Sequence, residues 1–147
     1  MTRERLPDTR RSITHRVKIQ SGPRPVRLYI TVGMYPPDPS APEGSAAARG
    51  RPGEVFLQVD EKGTTLSGLC IVGGILLSLC LQNGVGFEKI KEKLIHQEFE
   101  PKGMTDNPEI HFTRSLIDYA MKWMEGEFGG NRTDGTYWTD RKEGEKE

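Results

Sequence analysis

The sequence is poor in the residues that build metal and redox centres. It has 147 residues but only two cysteines, Cys70 and Cys80, and three histidines. The cysteines lie ten residues apart in one apolar segment, and helical steps of about 100° would put them on different faces. The histidines lack the close spacing of metal ligands. We therefore expect no bound metal or cofactor, and we interpret the cysteines as small buried residues in a reducing compartment.

Hydrophobic residues are also scarce, at 34% of the chain, while glycine and proline are frequent, with 17 and 10 copies. Such a composition indicates one packed domain accompanied by loops and tails. The net charge is zero, but Met1–Arg27 carries eight basic and two acidic residues, and Met124–Glu147 carries seven acidic and four basic residues. This distribution lacks the overall positive charge typical of a DNA-binding domain, so nucleic acid is not an expected partner. The basic end could contact phosphate, and two solvated ends that deter aggregation are an equally good explanation.

The composition changes along the chain predict three regions. Residues 1–14 form a basic N-terminal arm, and residues 15–130 form a single domain with a flexible insertion at 36–53. Residues 131–147 form an acidic, disordered tail with a possible docking element at Tyr137–Trp138. The N-terminus has no apolar segment of the signal-peptide kind, so we expect a cytoplasmic protein.

Alternating apolar residues predict three strands, at His15–Gln20, Val26–Met34 and Glu54–Asp60. The first two should form a hairpin. Three segments with helical spacing follow them. The predicted fold class is therefore α+β: a small antiparallel sheet of three or four strands packed on about three helices.

The first predicted helix is unusual because it is apolar on all sides. It begins after a hydroxyl N-cap at Thr64-Thr65, runs to about Gln82 and ends at Asn83-Gly84. Such a helix lies in a core, in a membrane or at a subunit interface. Its apolar run is shorter than the ~20 residues that span a bilayer, so we expect no membrane partner. We expect it to be the central helix of the domain.

The small sheet can cover only one side of this helix. Its other side should contact further helices or a second subunit, which predicts a homo-oligomer. Three small residues, Gly68, Gly73 and Gly74, would let that partner approach closely.

The other two helices are predicted at Phe87–His96 and Ile110–Phe128, the latter with Asn107 as its cap and Pro108 in its first turn. Its expected buried stripe contains Phe112, Leu116, Ile117, Ala120, Met121, Trp123 and Met124.

A phosphate site is predicted where the third strand meets the apolar helix. A glycine, two threonines and a helix N-terminus favour an anion there, and Lys62 adds positive charge. The arginine-rich arm could supply further donors to phosphate oxygens. An ordinary helix cap and a charged linker are the structural alternatives. The candidate ligand residues, for a nucleotide or another phosphorylated small molecule, are Arg10, Arg11, Ser12, Thr14, Lys62, Gly63, Thr64, Thr65 and Ser67.

Two sequence segments resemble parts of a known enzyme family. Residues 99–110 read FEPKGMTDNPEI and lead into Ser115-Leu-Ile-Asp-Tyr119, while residues 3–10 read RERLPDTR. Both resemble segments of adenosylcobalamin-dependent ribonucleotide reductases, where the second links the catalytic part to a C-terminal module. With Gly53–Leu57, Gly63–Leu69 and Leu77–Val85, the chain is similar to that module, the TSCPD domain. The pentapeptide that names the domain is absent, and Ser67–Cys70 is its nearest remnant.

The resemblance implies an accessory domain of deoxyribonucleotide synthesis that lacks the reductase barrel and the cobalamin-binding region. Three functions follow as alternatives. The chain is a stand-alone accessory domain acting with a reductase subunit, an oligomer that sequesters or senses a nucleotide, or a non-catalytic assembly protein. The polar loop Glu100–Glu109 is interpreted as turn and cap residues, with a pocket edge shared between subunits as the alternative.

Overall fold

Three antiparallel strands form the main sheet of the computed structural model, which describes residues 2–129. Strands β1 (Ser12–Ser21), β2 (Arg24–Met34) and β3 (Pro52–Val59) lie in the order β1-β2-β3. β1 and β2 form the predicted hairpin around a turn in which Gly22 has a φ of +79°. Alternation puts eight aliphatic side chains on one buried face, namely Val17, Ile19, Leu28, Ile30, Val32, Val55, Leu57 and Val59.

The remaining elements are four helices and a second, two-stranded sheet. The helices are α1 (Ala46–Arg49), α2 (Thr65–Gln82), α3 (Phe87–Leu94) and α4 (Leu116–Phe128), and the short strands are β4 (Gly103–Met104) and β5 (Phe112–Thr113). The segment containing β4 lies beside β1, where Thr105 forms an antiparallel bridge with Ile19. The predicted α+β class, with a small antiparallel sheet, is confirmed.

The helix α4, rather than the apolar α2, is the central helix. Its side chains are buried on nearly every side, and they share one core with the buried face of the main sheet. The expectation that α2 is central was wrong. A continuous apolar run predicts burial, but α2 lies at the margin of the sheet and buries only one face.

The buried face of α2 packs along the free edge of β3. The Ser78 hydroxyl accepts a hydrogen bond from the Val55 N–H (2.8 Å) and donates one to the Val55 carbonyl (3.2 Å). The Gln82 amide donates to the carbonyl of Gly53 at 2.9 Å. Gly74 faces the same strand, since a Cβ there would lie 2.8 Å from the Val55 carbonyl oxygen. The helix thus covers backbone groups that an edge strand otherwise leaves unpaired.

Several boundaries in the structure differ from the predicted ones. β1 begins at Ser12, within the predicted arm, and the predicted insertion 36–53 contains α1 and the first residues of β3. The predicted start of the last helix at Ile110 was wrong, because α4 begins after Ser115, whose hydroxyl caps the N–H of Asp118. Phe112, expected in the buried stripe, lies in β5 and is exposed.

Asn107 does not cap a helix. Its side-chain oxygen accepts from the N–H of Glu109 in a local turn, and its amide reaches Tyr119. The predicted tail 131–147 and the Tyr137–Trp138 element lie outside the described residues.

Candidate functional site

The predicted phosphate ligands fall into two groups at opposite ends of α2. The arm approaches the C-terminal end, where the N–H of Glu4 donates to the Gln82 carbonyl and the Arg3 guanidinium donates to the Gln82 side chain, both at 2.7 Å. The Lys62–Ser67 group lies at the N-terminal end. An 18-residue helix is roughly 27 Å long at 1.5 Å per residue. One small ligand therefore cannot contact both groups in this arrangement.

The guanidinium of Arg10 already binds other residues of the protein. Its guanidinium binds the carboxylate of Glu54 through two hydrogen bonds, at 2.7 and 2.9 Å, and also donates to the carbonyl of Pro7. The hydrogen bond to Glu54 raises the pKa of Arg10 above its usual value. Two-point pairing of this kind is the geometry by which arginine also binds phosphate, so a ligand at Arg10 would have to displace Glu54.

The other arm residues belong to the margin of the sheet. Arg11 accepts the N–H of Met34 through its carbonyl, and Ser12 pairs with Gly33 in the β1–β2 ladder. The hydroxyls of Thr14 and Thr31 lie 3.1 Å apart on the outer face. Ligand binding by these residues stays a prediction.

The Lys62–Ser67 turn has the cap that the sequence predicts. The Thr64 hydroxyl accepts from the N–H of Ser67 at 3.1 Å and donates to the carbonyl of Glu61 at 3.2 Å. Gly63 has a φ of +77°, which favours glycine at this position. Lys62, Gly63 and Thr65 are exposed, whereas Ser67 is buried. The turn is accessible to solvent, and its affinity for an anion stays a prediction.

A polar cluster that the sequence did not predict joins β1 to the segment 99–119 that resembles the reductases. The hydroxyl of Tyr119, which is fully buried, lies 2.7 Å from Nε2 of His15 and accepts from the amide of Asn107 at 2.8 Å. The imidazole is stacked with the rings of Trp123 and Tyr119, at centroid distances of 5.0 and 5.8 Å. Burial lowers the pKa of His15, although the charge of Asp106 opposes this shift. We call these residues the His15–Tyr119 cluster.

A buried carboxylate extends the polar contacts towards α3. Asp118 accepts hydrogen bonds from the N–H groups of His96 (2.7 Å) and Arg114 (3.0 Å) and from the hydroxyl of Thr113 (3.2 Å), and its carboxylate lies 3.0 Å from the ammonium of Lys122. Burial would raise the pKa of Asp118, but these donors and the Lys122 charge lower it overall. Such a carboxylate fixes the chain around it.

The residues of the polar loop Glu100–Glu109 hold its turns in place and attach it to β1. The Thr105 hydroxyl donates to the carbonyl of Ile110, and Asp106 pairs with the backbone of Lys18. A small open cleft of about 240 Å³ lies beside the His15–Tyr119 cluster, and Glu109 contributes to its wall. Lys102, which the alternative interpretation places at a pocket edge, pairs with Glu98 at 2.6 Å. A pocket edge shared with a second subunit stays a prediction.

The two cysteines are both free and do not lie close together in the part of the chain that the structure describes. Cys70 is buried, and burial raises the pKa of its thiol, while Cys80 is partly buried on the same helix. Ten helical residues separate them by roughly 15 Å along the axis. Residues 2–129 contain no group of three or more His, Cys, Asp or Glu placed to hold a metal ion.

The geometry defines a small α+β domain with a buried polar cluster at its motif segments. The chain belongs to the TSCPD domain family, whose match covers residues 3–128. It is also similar to proteins named vitamin B12-dependent ribonucleotide reductase. The relative from Rhodopirellula baltica is 38% identical over 122 residues, which cover 83% of this chain and 10% of the relative.

Two further relatives carry the same name. The protein from Streptomyces coelicolor is 32% identical over 86% of this chain and 11% of its own length. The protein from Bradyrhizobium diazoefficiens is 26% identical over 82% of this chain and 8% of its own length. The chain therefore spans about a tenth of the length of these three curated relatives. No solved structure gives a significant match.

Proposed function

We propose that this domain is an accessory module of deoxyribonucleotide synthesis that acts with a vitamin B12-dependent ribonucleotide reductase and does not itself reduce ribonucleotides. The observation that carries the proposal is the extent of the similarity. It covers nearly all of the described fold but only about a tenth of each reductase compared above. The bulk of those enzymes has no counterpart in the matched region.

The thiol chemistry supports the accessory role. Reduction by paired cysteines needs two thiols within bonding reach and a thiolate at working pH. The burial of Cys70 favours its protonated form, and the helix holds Cys80 far from it. We propose that these thiols pack the core and do not transfer electrons.

The relatives' dependence on vitamin B12 does not extend to a cofactor site that we can assign here. Two clefts among residues 2–129 are open surface grooves of about 490 and 470 Å³. The first is lined mainly by apolar side chains, including Phe56, Ile71 and Ile75. A corrinoid needs an enclosing site with polar groups placed to orient it. These two grooves do not fit the cofactor, and we propose no step through it.

The experiment is complementation of a shortened enzyme. A vitamin B12-dependent reductase that lacks the region matching this chain is assayed for deoxyribonucleotide formation with and without the purified protein. Under the proposal, an equimolar amount binds the shortened enzyme and changes its rate severalfold, whereas an unrelated domain of similar size does not. A protein that neither binds the shortened enzyme nor alters its rate would exclude the accessory role.

Nucleotide binding at the Lys62–Thr65 turn is a second candidate. It is favoured by the exposure of Lys62, Gly63 and Thr65 at the N-terminus of an 18-residue helix, where a phosphate is electrostatically stabilised. A ligand that binds only the folded protein raises its melting temperature. Under this proposal a nucleoside triphosphate raises the melting temperature of the native protein but not that of Lys62→Ala. Equal shifts of the melting temperature for both proteins would exclude the Lys62–Thr65 turn as the nucleotide site.

A further inference from the structure

The outer face of α2 is a continuous apolar surface that no described residue covers. The chain has no charged residue from Thr64 to Gln82. Six large side chains of this face are between 39% and 64% exposed: Leu69, Ile71, Val72, Ile75, Leu76 and Leu79. Phe56, on the outer face of β3, is 49% exposed and lines the same groove as Ile71 and Ile75. Arg3 and Glu54, two residues of opposite charge, also line this groove. Isolated exposed apolar residues are common, but a contiguous set indicates an interaction surface.

The spacing of these residues fits contact with another helix. Gly68, Val72, Ile75 and Leu79 follow one another at intervals of four, three and four residues, which is the repeat that places side chains on a helix–helix seam. Leu69 and Leu76 flank this stripe. A Cβ at Gly68 would meet no other atom within 4 Å. The stripe therefore has a small residue that permits close approach, whereas Gly74 serves the contact with β3 and Gly73 is not part of the stripe.

The size of the surface is adequate for a stable complex. Taking roughly 200 Å² for a fully exposed large side chain, the exposed fractions of the seven residues sum to roughly 700 Å². The largest apolar patch of an ordinary monomer is about 300–600 Å². A standard interface buries about 800 Å² on each partner, so this one face supplies nearly all of that area.

The absence of charge on α2 favours a second copy as the occupant of its outer face. A two-fold interface brings a surface against its own copy, so a face with one sign of charge would repel itself, while an uncharged apolar face is self-complementary. A helix lying on a membrane surface instead carries Lys and Arg beside its apolar face, and α2 has neither. By length and composition alone α2 could also cross a membrane, the single described helix of which this is true, yet a third of it is buried in the fold.

We infer that α2 and Phe56 form a two-fold interface with a second copy of this chain, with the Gly68–Val72–Ile75–Leu79 stripe packed against its counterpart. The inference does not depend on the proposed reductase role. A pair of these helices would bury the apolar surface that the sheet leaves open. Ile75 lies near the middle of the stripe, so both copies of its side chain would lie in the centre of the contact.

The test compares the full chain with two matched variants by light scattering after gel filtration and by sedimentation. The native protein should have twice the 16.5 kDa mass of one chain at micromolar concentration. Ile75→Glu should raise the dimer dissociation constant at least about a hundredfold, because it buries two carboxylates without partners. Phe112→Glu is the control, since Phe112 is similarly exposed, at 48%, but lies in β5 away from α2. This variant should remain dimeric.

Folding of the variants is checked separately from assembly. Ile75 is 54% exposed, so the circular dichroism spectrum of Ile75→Glu should match that of the native chain. At concentrations where both proteins are monomeric, their melting temperatures should also agree. A lower melting temperature for the monomeric variant would mean that another part of the same chain covers the face, and it would overturn the inference.

Other outcomes would also overturn it. A native protein that stays monomeric at about 100 micromolar, a concentration far above the dissociation constant of a standard interface, excludes the dimer. So does a dimer that tolerates Ile75→Glu. Binding of a monomeric native protein to vesicles of phosphatidylcholine and phosphatidylglycerol would assign the face to a membrane. Binding of the monomer to the shortened reductase, lost in Ile75→Glu, would assign it to that enzyme.

Discussion

Nε2 of His15 lies 2.7 Å from the hydroxyl of Tyr119, although the two residues are 104 positions apart. His15 lies in β1, five residues after the end of the RERLPDTR segment, and Tyr119 ends the Ser115–Tyr119 segment. The contact, with the Asn107 amide as a third member, joins β1 to the motif segment at residues 99–119. The motifs that relate this chain to the reductases therefore include residues that hold the domain together.

Replacing Tyr119 by Phe tests the energetic importance of this cluster. The substitution keeps the ring but removes the acceptor of the Asn107 amide and the partner of His15. A buried polar group left without its partner costs about 1–3 kcal/mol, so we expect a loss of that size in the free energy of unfolding by urea. Tyr29→Phe, at a partly exposed position of β2, is the control and should change stability by less than about 0.5 kcal/mol. Equal effects would mean that the cluster contributes nothing specific.

The lowered pKa of His15 predicts a pH dependence of stability. Because burial disfavours the protonated imidazole in the folded state, the unfolded chain binds more protons just below its own pKa of about 6.5. Stability from this site is therefore complete above about pH 6.5 and falls as the pH decreases towards the folded pKa. His15→Gln cannot titrate, so between about pH 7.5 and 5.5 it should lose less stability than the native protein. Parallel losses in the two proteins would show that His15 does not contribute.

Local sequence signals were sufficient for α2 and for the main strands. The Thr64 hydroxyl, the apolar run and the Asn83-Gly84 stop all act within a few residues of the helix they delimit. The alternation in β1, β2 and β3 is equally local, and it follows from burial of a single face of the sheet. These features could be predicted because each residue's role depends on its near neighbours.

The start of α4 and the state of Arg10 depended on distant partners. Asn107-Pro108 and Ser115 are both acceptable helix starts, but Tyr119 and the Glu109 N–H engage the Asn107 side chain. The sequence predicted that Arg10 could bind phosphate, because its partner Glu54 lies 44 residues away in the chain and the pairing was not visible. A single sequence does not reveal which strand will bring a carboxylate to an arginine. The sequence therefore indicated which residue types could bind phosphate, but it did not predict which residues lie together or which are already paired.

Asp118→Asn should be strongly destabilising. The native carboxylate accepts three hydrogen bonds and lies against Lys122, whose side chain is only 7% exposed. Removing one member of a buried ion pair costs about 3–5 kcal/mol. The lowered pKa of Asp118 means that its contribution is complete above about pH 4 and is lost as the pH falls through the folded value. Asp60→Asn is the matched control, because Asp60 pairs with Arg27 at a partly exposed position, where pairs contribute about 0–1 kcal/mol.

The adjacent glycines of α2 provide the sharpest test of how this helix is held. A Cβ on Gly74 would lie 2.8 Å from the Val55 carbonyl oxygen and 3.4 Å from the N–H nitrogen of Leu57, whereas one on Gly73 would meet nothing within 4 Å. Gly73→Ala should therefore stabilise the helix by about 0.5–1 kcal/mol, since alanine loses less backbone entropy. Gly74→Ala gains the same entropy but must push α2 from β3, and overpacking of this kind costs about 1–3 kcal/mol.

Thermal unfolding of the two variants at one protein concentration should move the melting temperature in opposite directions. The Ser78 and Gln82 contacts should weaken only in Gly74→Ala, because they share the β3 edge with Gly74. Faster hydrogen exchange at the Val55 N–H in that variant alone would identify the edge as the place of strain. If both variants were stabilised alike, α2 would not be packed closely on β3. The distinction between its buried face and its exposed outer face, on which the inferred dimer depends, would then fail too.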